Sequence, residues 1–302
     1  MIDHEADRAW LRRVAARVGA PVDAAEPPER RTVGGGDPAL NVVDWCAPRP
    51  GAPTVLLVHG GRLTARTWDG VCLLLRDTYR CLALDLRGHG DSGWSADRQY
   101  RLDDYRDDLA RAVDALRLDD FALVGMSLGG IVAVAYAVER PSALGSLTIV
   151  DIGPNSAEDG AEVGSRIRAF AGRTSGSRPF EDFVREALVF SPERDEDGLR
   201  ASLRHALRAL PDGRCEWKWD PAQYARARWG RDGVFSRVAE IAVPALVVRG
   251  GNSRVLSPQG ASRLVASLAR GRLVTIEGAG HTVQSDKPRE LAAALREFLG
   301  SS

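Results

Sequence analysis

The sequence predicts an α/β protein, a mostly parallel β-sheet with helices on both faces and a helical insertion. Three observations predict it. Short β-branched runs that end in glycine alternate with amphipathic stretches, as parallel strands and their crossover helices do. The alternation stops near Gly153 and resumes near Pro244. Between these points, from Pro154 to Phe235, the pattern is helical with loops and no convincing strand.

The elements follow in order. "ADRAWLRRVAARV" sets Trp10, Leu11, Val14 and Val18 on one helical stripe, and "PVDAAEPPERR" breaks it. "ALNVVDWC" has strand character. "TVLLVHGG" is a β-branched run ending in glycines, as a buried parallel strand should. A helix near "TWDGVCLLLRD" leads to the strand "RCLALDL", the glycine-rich loop "RGHGDSG" and a helix around "DDYRDDLARAVDALRL". "FALVGMSLGGIVAVAYAVER" reads as strand, sharp turn and helix, and "LGSLTIVDIG" as another strand. After the insertion come "PALVVRG", "SPQGASRLVASLA", "RLVTIEG" and "KPRELAAALREFL", alternately strand and helix. The domain reading is an N-terminal helical extension over 1–36, an α/β core over 37–153 and 236–302, and the insertion over 154–235. Nine of the nineteen aromatic residues fall in the insertion, Trp217 and Trp219 among them. Most are expected to form its own small core, and some to roof an apolar pocket against the sheet.

Composition narrows the function. Hydrophobic residues make up 44% of the 302, enough for an ordinary globular core. Lys+Arg and Asp+Glu balance at 41 each, which gives no electrostatic footing for nucleic acid or an anionic membrane. Cys46, Cys72, Cys81 and Cys215 lack metal-site spacing and histidine neighbours, so no metal is expected. Cys72 and Cys81 read as buried, reduced thiols. "MIDHEADRAW" has no apolar leader segment, and the longest apolar run, "IVAVAYAV", is too short to span a bilayer. The expectation is a cytoplasmic protein.

"GMSLG" is the strongest motif. It sits between a strand and a helix, as a nucleophile turn requires. Reversal in so few residues strains the backbone at Ser127 and leaves room only for glycine at 125 and 129. The helix that begins at Leu128 aims its free N–H groups and its positive end at the same place. His281, in "GAGHTVQSDKP", lies in the loop after the last strand, where a base for Ser127 must stand. His59 is expected to brace the "HGG" loop, His89 to be structural, and His4 and His205 have no supporting context. Acyl transfer also needs donors for the developing oxyanion. Leu128 N–H is one, and Gly61 N–H is the most plausible second. Arg62 and Arg66 are expected in solvent, with recognition of a substrate carboxylate as the alternative.

Together "HGG", "DLRGHGDS", "GMSLGG", "VDIGP" and "GAGHTVQ", in this order, resemble the α/β-hydrolase fold superfamily in its capped branch. The resemblance runs from about Asn41 to Leu299. It implies an eight-stranded, mostly parallel sheet with a helical cap inserted after the sixth strand. It also implies Ser127 as nucleophile, His281 as base, and Gly61 with Leu128 as oxyanion donors. In one respect the chain departs from the pattern. The turn after "ALVVRGG" usually carries the acid of the triad, and Arg254 stands at that position. Asp151, at the end of "LTIVDIG", is the first choice for a substitute, because some members draw their acid from that strand. Asn252 is the second, and Asp286 is expected to cap the final helix. Asp85 and Asp91 read as scaffold.

On these readings the chain is expected to be a serine hydrolase acting on an ester, lactone or related acyl small molecule, apolar or aromatic in character, with Arg62, Arg254, Trp217 and Trp219 as candidate substrate contacts. No cofactor is implied. A cofactor-free lyase, cyclase or dioxygenase using His281 for proton transfer is the alternative, motivated by Arg254 as a contact for an anionic substrate. A binding protein without catalysis is the third reading.

Overall fold

The computed structural model describes residues 4–21, 27–154, 176–190, 196–223 and 231–300. Its centre is an eight-stranded sheet in the order β1-β2-β4-β3-β5-β6-β9-β10. These strands are Glu29–Val33, Leu40–Asp44, Arg80–Leu84, Thr54–Val58, Phe121–Met126, Leu144–Val150, Ala245–Gly250 and Gly271–Ile276. β2 runs antiparallel to both neighbours, and every other pairing is parallel.

The six inner strands, β2 to β6 and β9, read as near-continuous apolar runs because both faces are covered. In β3, Val55 and Leu57 point to one side and Leu56 and Val58 to the other, the two-residue period of a strand. The first side packs under α1 (His4–Val18), α2 (Asp69–Leu75) and the last helix, Pro288–Gly300. The second packs under α3 (Leu102–Leu116), α4 (Leu128–Glu139) and the helix Pro258–Ser267. α4 is apolar almost all round, "LGGIVAVAYAVE", because it is enclosed by β5, β6 and α3.

Two elements differ from the sequence reading. β1 lies inside the segment 1–36, assigned to a helical extension, and pairs with β2 from Glu29↔Asp44 to Val33↔Leu40. Its "ERRTV" is charged and largely exposed, which suits an edge strand that must resist pairing with other chains. In the insertion, β7 (Leu207–Ala209) and β8 (Cys215–Trp217) form a small antiparallel hairpin where no strand was expected. It accompanies the helices Phe180–Phe190 and Glu196–Ala206 around Phe183, Val184, Leu199, Leu203 and Leu207. The insertion residues 155–175, 191–195 and 224–230, which include Phe170, Tyr224 and Trp229, lie outside the described residues.

The returning limb of the insertion is fastened to the core. Asp220 is buried and accepts from Tyr100 Oη at 2.7 Å and Arg98 Nη1 at 2.9 Å. Gln223 Nε2 donates to Gly88 O at 2.7 Å, and Tyr105 Oη donates to Gln223 Oε1 at 3.0 Å. These bonds set Trp219 beside the loops that follow β3 and β4, where it pairs by backbone with His89.

Candidate active site

Ser127 sits between β5 and α4 with φ 51° and ψ −115°, a conformation rarely taken by a residue with a side chain. A methyl group on Gly125 would strike the Gly129 carbonyl, and one on Gly129 would strike the Val58 carbonyl. The turn is therefore tight enough to require both glycines. Ser127 is held by its backbone, N to Val150 O at 3.0 Å and O from Ile131 N at 3.0 Å. Its hydroxyl does not cap the helix, which leaves it for another partner.

That partner is His281, whose Nε2 lies 3.1 Å from Ser127 Oγ. The histidine loop is laced to the turn after β9. Gly251 N donates to Ile276 O and Asn252 N to Ala279 O, both at 2.8 Å. Asp286 Oδ2 accepts from Gly280 N at 2.8 Å, and its Oδ1 accepts from Thr282 Oγ1 at 3.3 Å. So Asp286, expected at the last helix, braces the histidine loop.

On the far side of the imidazole, His281 Nδ1 lies 2.8 Å from Asp151 Oδ2. Asp151 is fully buried at the end of β6 with φ 52°. Its charge loses hydration there and is compensated by hydrogen bonds. Gly250 N donates to Oδ1 at 2.9 Å, and the Ser253 hydroxyl donates to Oδ2 alongside His281. Arg254, at the position of the usual acid, is exposed, and Asn252 is exposed as well.

Two contributors escape a reading of the sequence. Ser253 is buried and its oxygen accepts from Val255 N at 3.1 Å, which fixes the hydroxyl toward Asp151. Arg249 is buried in β9, and its guanidinium donates to Leu256 O at 2.8 Å and Gly251 O at 3.2 Å, clamping the ends of the turn. Ser253 was legible only as a hydroxyl in a turn that had lost its acid. Arg249 gave no signal.

The "HGG" loop runs against the elbow. A methyl group on Gly60 would strike Met126 Sδ and lie 3.2 Å from Ser127 Cβ, so the loop approaches Ser127 at backbone distance. His59 is buried, with Nδ1 on Gly60 O at 2.7 Å and Nε2 accepting from Leu86 N at 3.1 Å. Burial lowers its pKa, and the two bonds suit a neutral ring protonated on Nδ1. His89 packs against it edge-on at 5.0 Å, and burial holds its pKa well below the usual value. Asp85 is buried as scaffold and accepts from Asn41 Nδ2 at 2.8 Å, Ala65 N at 2.6 Å and Asp91 N at 2.9 Å. Gly61 follows Gly60 in this loop, and Leu128 is the first residue of α4.

Of the two tryptophans, Trp219 meets the loop after β3, with the Arg62 guanidinium carbon 5.2 Å from its ring centre. Trp217 packs edge-on to Phe183 at 5.3 Å, inside the insertion's own core. The expectation for Arg66 is corrected. It is 7% exposed, because it pairs with Asp69 and with Asp7 of α1. Cys72 and Cys81 are buried free thiols. No metal-binding cluster occurs among the described residues, and no described helix is long and apolar enough to cross a membrane.

Residues 53–288 match the alpha/beta hydrolase fold family. The chain belongs to that family. It is similar to an esterase of Mycobacterium tuberculosis, 33% identical over 265 residues that cover 86% of each chain. A solved structure of the M. tuberculosis esterase superposes with a TM-score of 0.80 at 30% identity, over 97% of this chain and 98% of that one. It is also similar to an sn-1-specific diacylglycerol lipase of Mus musculus, 29% identical over 82% of this chain and 81% of the relative. With these relatives over most of its length, this α/β hydrolase is a hydrolytic enzyme.

Proposed function

We propose that this α/β hydrolase cleaves a carboxylic ester of a small molecule through an acyl-enzyme on Ser127. The observation that carries the reading is the unbroken chain from Asp151 Oδ2 through His281 to Ser127 Oγ, at 2.8 and 3.1 Å. Ser127 Oγ attacks the ester carbonyl while its proton passes to His281 Nε2. Asp151 fixes the imidazole by accepting its Nδ1–H and stabilises the imidazolium that forms. The N–H groups of Leu128 and Gly61 take the oxyanion of the tetrahedral intermediate. Collapse expels the alcohol, which takes the proton from Nε2. Water then attacks the acyl carbon, again with His281 as base, and releases the acid and Ser127.

The insertion, 154–235, serves in this reading as a cap, with Trp219 the aromatic residue it sets against the loops after β3 and β4. Esterase and lipase relatives support the substrate class. The lyase alternative rested on Arg254 as a substrate contact, and that side chain is exposed on the outer turn. A fluorophosphonate probe tests the proposal. It should add one phosphonyl mass to the wild type and none to Ser127→Ala. A folded wild type that takes no label, and hydrolyses no short-chain p-nitrophenyl ester, removes the mechanism.

A further inference from the structure

α1 lies ahead of residues 53–288, the stretch that matches the family, and its contacts are not confined to the α/β core. Leu11, Val14, Ala15 and Val18 form its apolar stripe, buried in the same cluster as Val71 and Leu75 of α2 and Leu291 of the last helix. Continued toward the N-terminus, the stripe reaches Trp10 and Asp7, which turn to other partners.

Trp10 meets two bodies at once. Its indole Nε1 donates to Asp69 Oδ2 at 2.6 Å, and its ring centre lies 5.1 Å from that of His205 at an interplanar angle of 56°. Asp69 is the first residue of α2, and His205 stands in the last turn of the helix Glu196–Ala206 of the insertion. The spacing is that of a packed ring pair, and the indole N–H has the acceptor it needs. Burial, then the positive charges of Arg66, Lys218 and Arg30, lower the pKa of His205 to about 2, so the ring packs on Trp10 uncharged. Asp7 is buried. Its Oδ2 accepts from Arg30 Nη2 at 3.3 Å and from Arg66 Nη1 at 3.4 Å, and its Oδ1 stands 3.9 Å from His205 Nδ1. Arg66 Nε also donates to Asp69 Oδ2 at 2.7 Å. Moving any of these elements would strand a buried charge.

Arg66 and Asp69 belong to the stem of the "HGG" loop. Leu63 N donates to Gly60 O at 3.1 Å and Ala65 N to Asp85 Oδ1 at 2.6 Å, so the chain from Gly61 to the turn Ala65–Trp68 is tied at both ends. Among the described residues, the insertion's own core of Phe183, Val184, Leu199, Leu203 and Leu207 is separate from both clusters of the sheet. The seat of the helix Glu196–Ala206 therefore depends on side-chain contacts such as that with Trp10.

We infer that α1 is a clasp between the insertion and the stem of the "HGG" loop, with Trp10 and Asp7 as positioning residues. It seats the helix Glu196–Ala206 through His205 and holds Arg66 and Asp69 in the stem of the loop that carries Gly61. Neither residue is catalytic; each acts through what it holds. The clasp is independent of the reaction, and only its kinetic consequence rests on the ester-hydrolase reading.

Hydrogen exchange read by mass spectrometry tests it on the whole protein, below the unfolding midpoint of each variant. Trp10→Ala should speed amide exchange in 196–209 and in 61–69 by about tenfold or more, while α4 keeps the wild-type rate. Trp10→Phe keeps a ring for His205 and loses the bond to Asp69. It should restore the protection of 196–209 and leave 61–69 fast. With p-nitrophenyl butyrate, Trp10→Ala should raise KM by about threefold or more and Trp10→Phe should recover it, whereas Asp7→Asn, acting on the stem, should lower kcat. Exchange that rises equally in α4 means that α1 adds only overall stability, and unchanged exchange in 196–209 means that it does not hold the insertion. Either result overturns the clasp. If Trp10→Ala does not fold, His205→Ala against His205→Phe reads the same contact from the other side. Local loosening with kcat and KM unmoved keeps the clasp and removes its positioning role. If the wild type cleaves no ester, the exchange rates still decide the clasp, and the hydrolase reading falls by itself.

Discussion

Replacing Asp151 by asparagine keeps the size of the side chain and removes its charge. In the folded protein the carboxylate accepts from Gly250 N, Ser253 Oγ and His281 Nδ1. An amide has one acceptor oxygen, and Gly250 N is a fixed donor that claims it. The amide nitrogen then faces His281 Nδ1 as a donor. The imidazole answers by carrying its proton on Nε2, the atom 3.1 Å from Ser127 Oγ. A protonated Nε2 cannot take the proton of the serine. Loss of the acid's charge and of the correct tautomer costs about 10⁴ in turnover in serine triads, or roughly 5 kcal/mol at 1.36 kcal/mol per decade. Burst and steady-state hydrolysis of a p-nitrophenyl ester measure it, with circular dichroism to confirm the fold. Arg254→Ala, on the exposed outer turn, should stay within about twofold, since surface changes away from such features are usually worth under about 0.5 kcal/mol. A loss below tenfold for Asp151→Asn, or equal losses for both variants, would refute the assignment of the acid.

Other changes have directions of their own. Ser253→Ala removes one donor from a buried carboxylate, a bond to a charged group worth about 1.5–3 kcal/mol. Turnover should fall roughly ten- to a hundredfold with KM little changed, and Ser253→Thr should recover part of it; a silent Ser253→Ala would remove the serine from the site. Gly60→Ala forces a methyl group against Met126 and Ser127, so a loss of about 1–3 kcal/mol in urea unfolding is expected. An unchanged midpoint would mean that the loop yields freely. The pH dependence of stability has a definite sign. His59, His89 and His205 all have folded pKa values below the ordinary 6.5, that of His205 about 2. Above 6.5 both states are neutral at these rings. As pH falls below 6.5, the unfolded chain takes up protons that the folded one refuses, costing up to about 1.4 kcal/mol per pH unit for each ring. Urea unfolding at pH 7.5 and 5.5 should show the loss, and His205→Asn should lessen the slope.

Much of the sheet could be read from the sequence because its inner strands are buried on both faces and several end in glycine. β1 could not, because an edge strand made of Glu29, Arg30 and Arg31 carries no apolar period. The hairpin β7–β8 has strands of three residues, too short for any period. Its one legible mark was Asp212-Gly213, a turn pair with Gly213 at φ 81°. At the site, Ser127 and His281 announced themselves through the loops they occupy. Asp151 was chosen over Asn252 on resemblance. The bonds that distinguish them join residues about a hundred positions apart, which local pattern does not record. Arg66 was misread for the same reason. A charged residue in a turn looks solvated until α1 folds across it with Asp7 and Trp10.

Ser127 and Asp151 stand at the two tips of one strand–helix–strand unit, β5-α4-β6, adjacent strands paired from Phe121↔Leu144 to Met126↔Val150. In the proposed mechanism the carboxylate is drawn from the neighbouring strand, and the spacing of the two residues is set by a single contiguous stretch of some thirty residues. Only the imidazole has to be delivered from elsewhere. The turn after β9 is thereby reduced to a bracket that must keep one amide and one hydroxyl in place. On that proposal its outermost position, Arg254, is released from chemistry and free to carry even a cation.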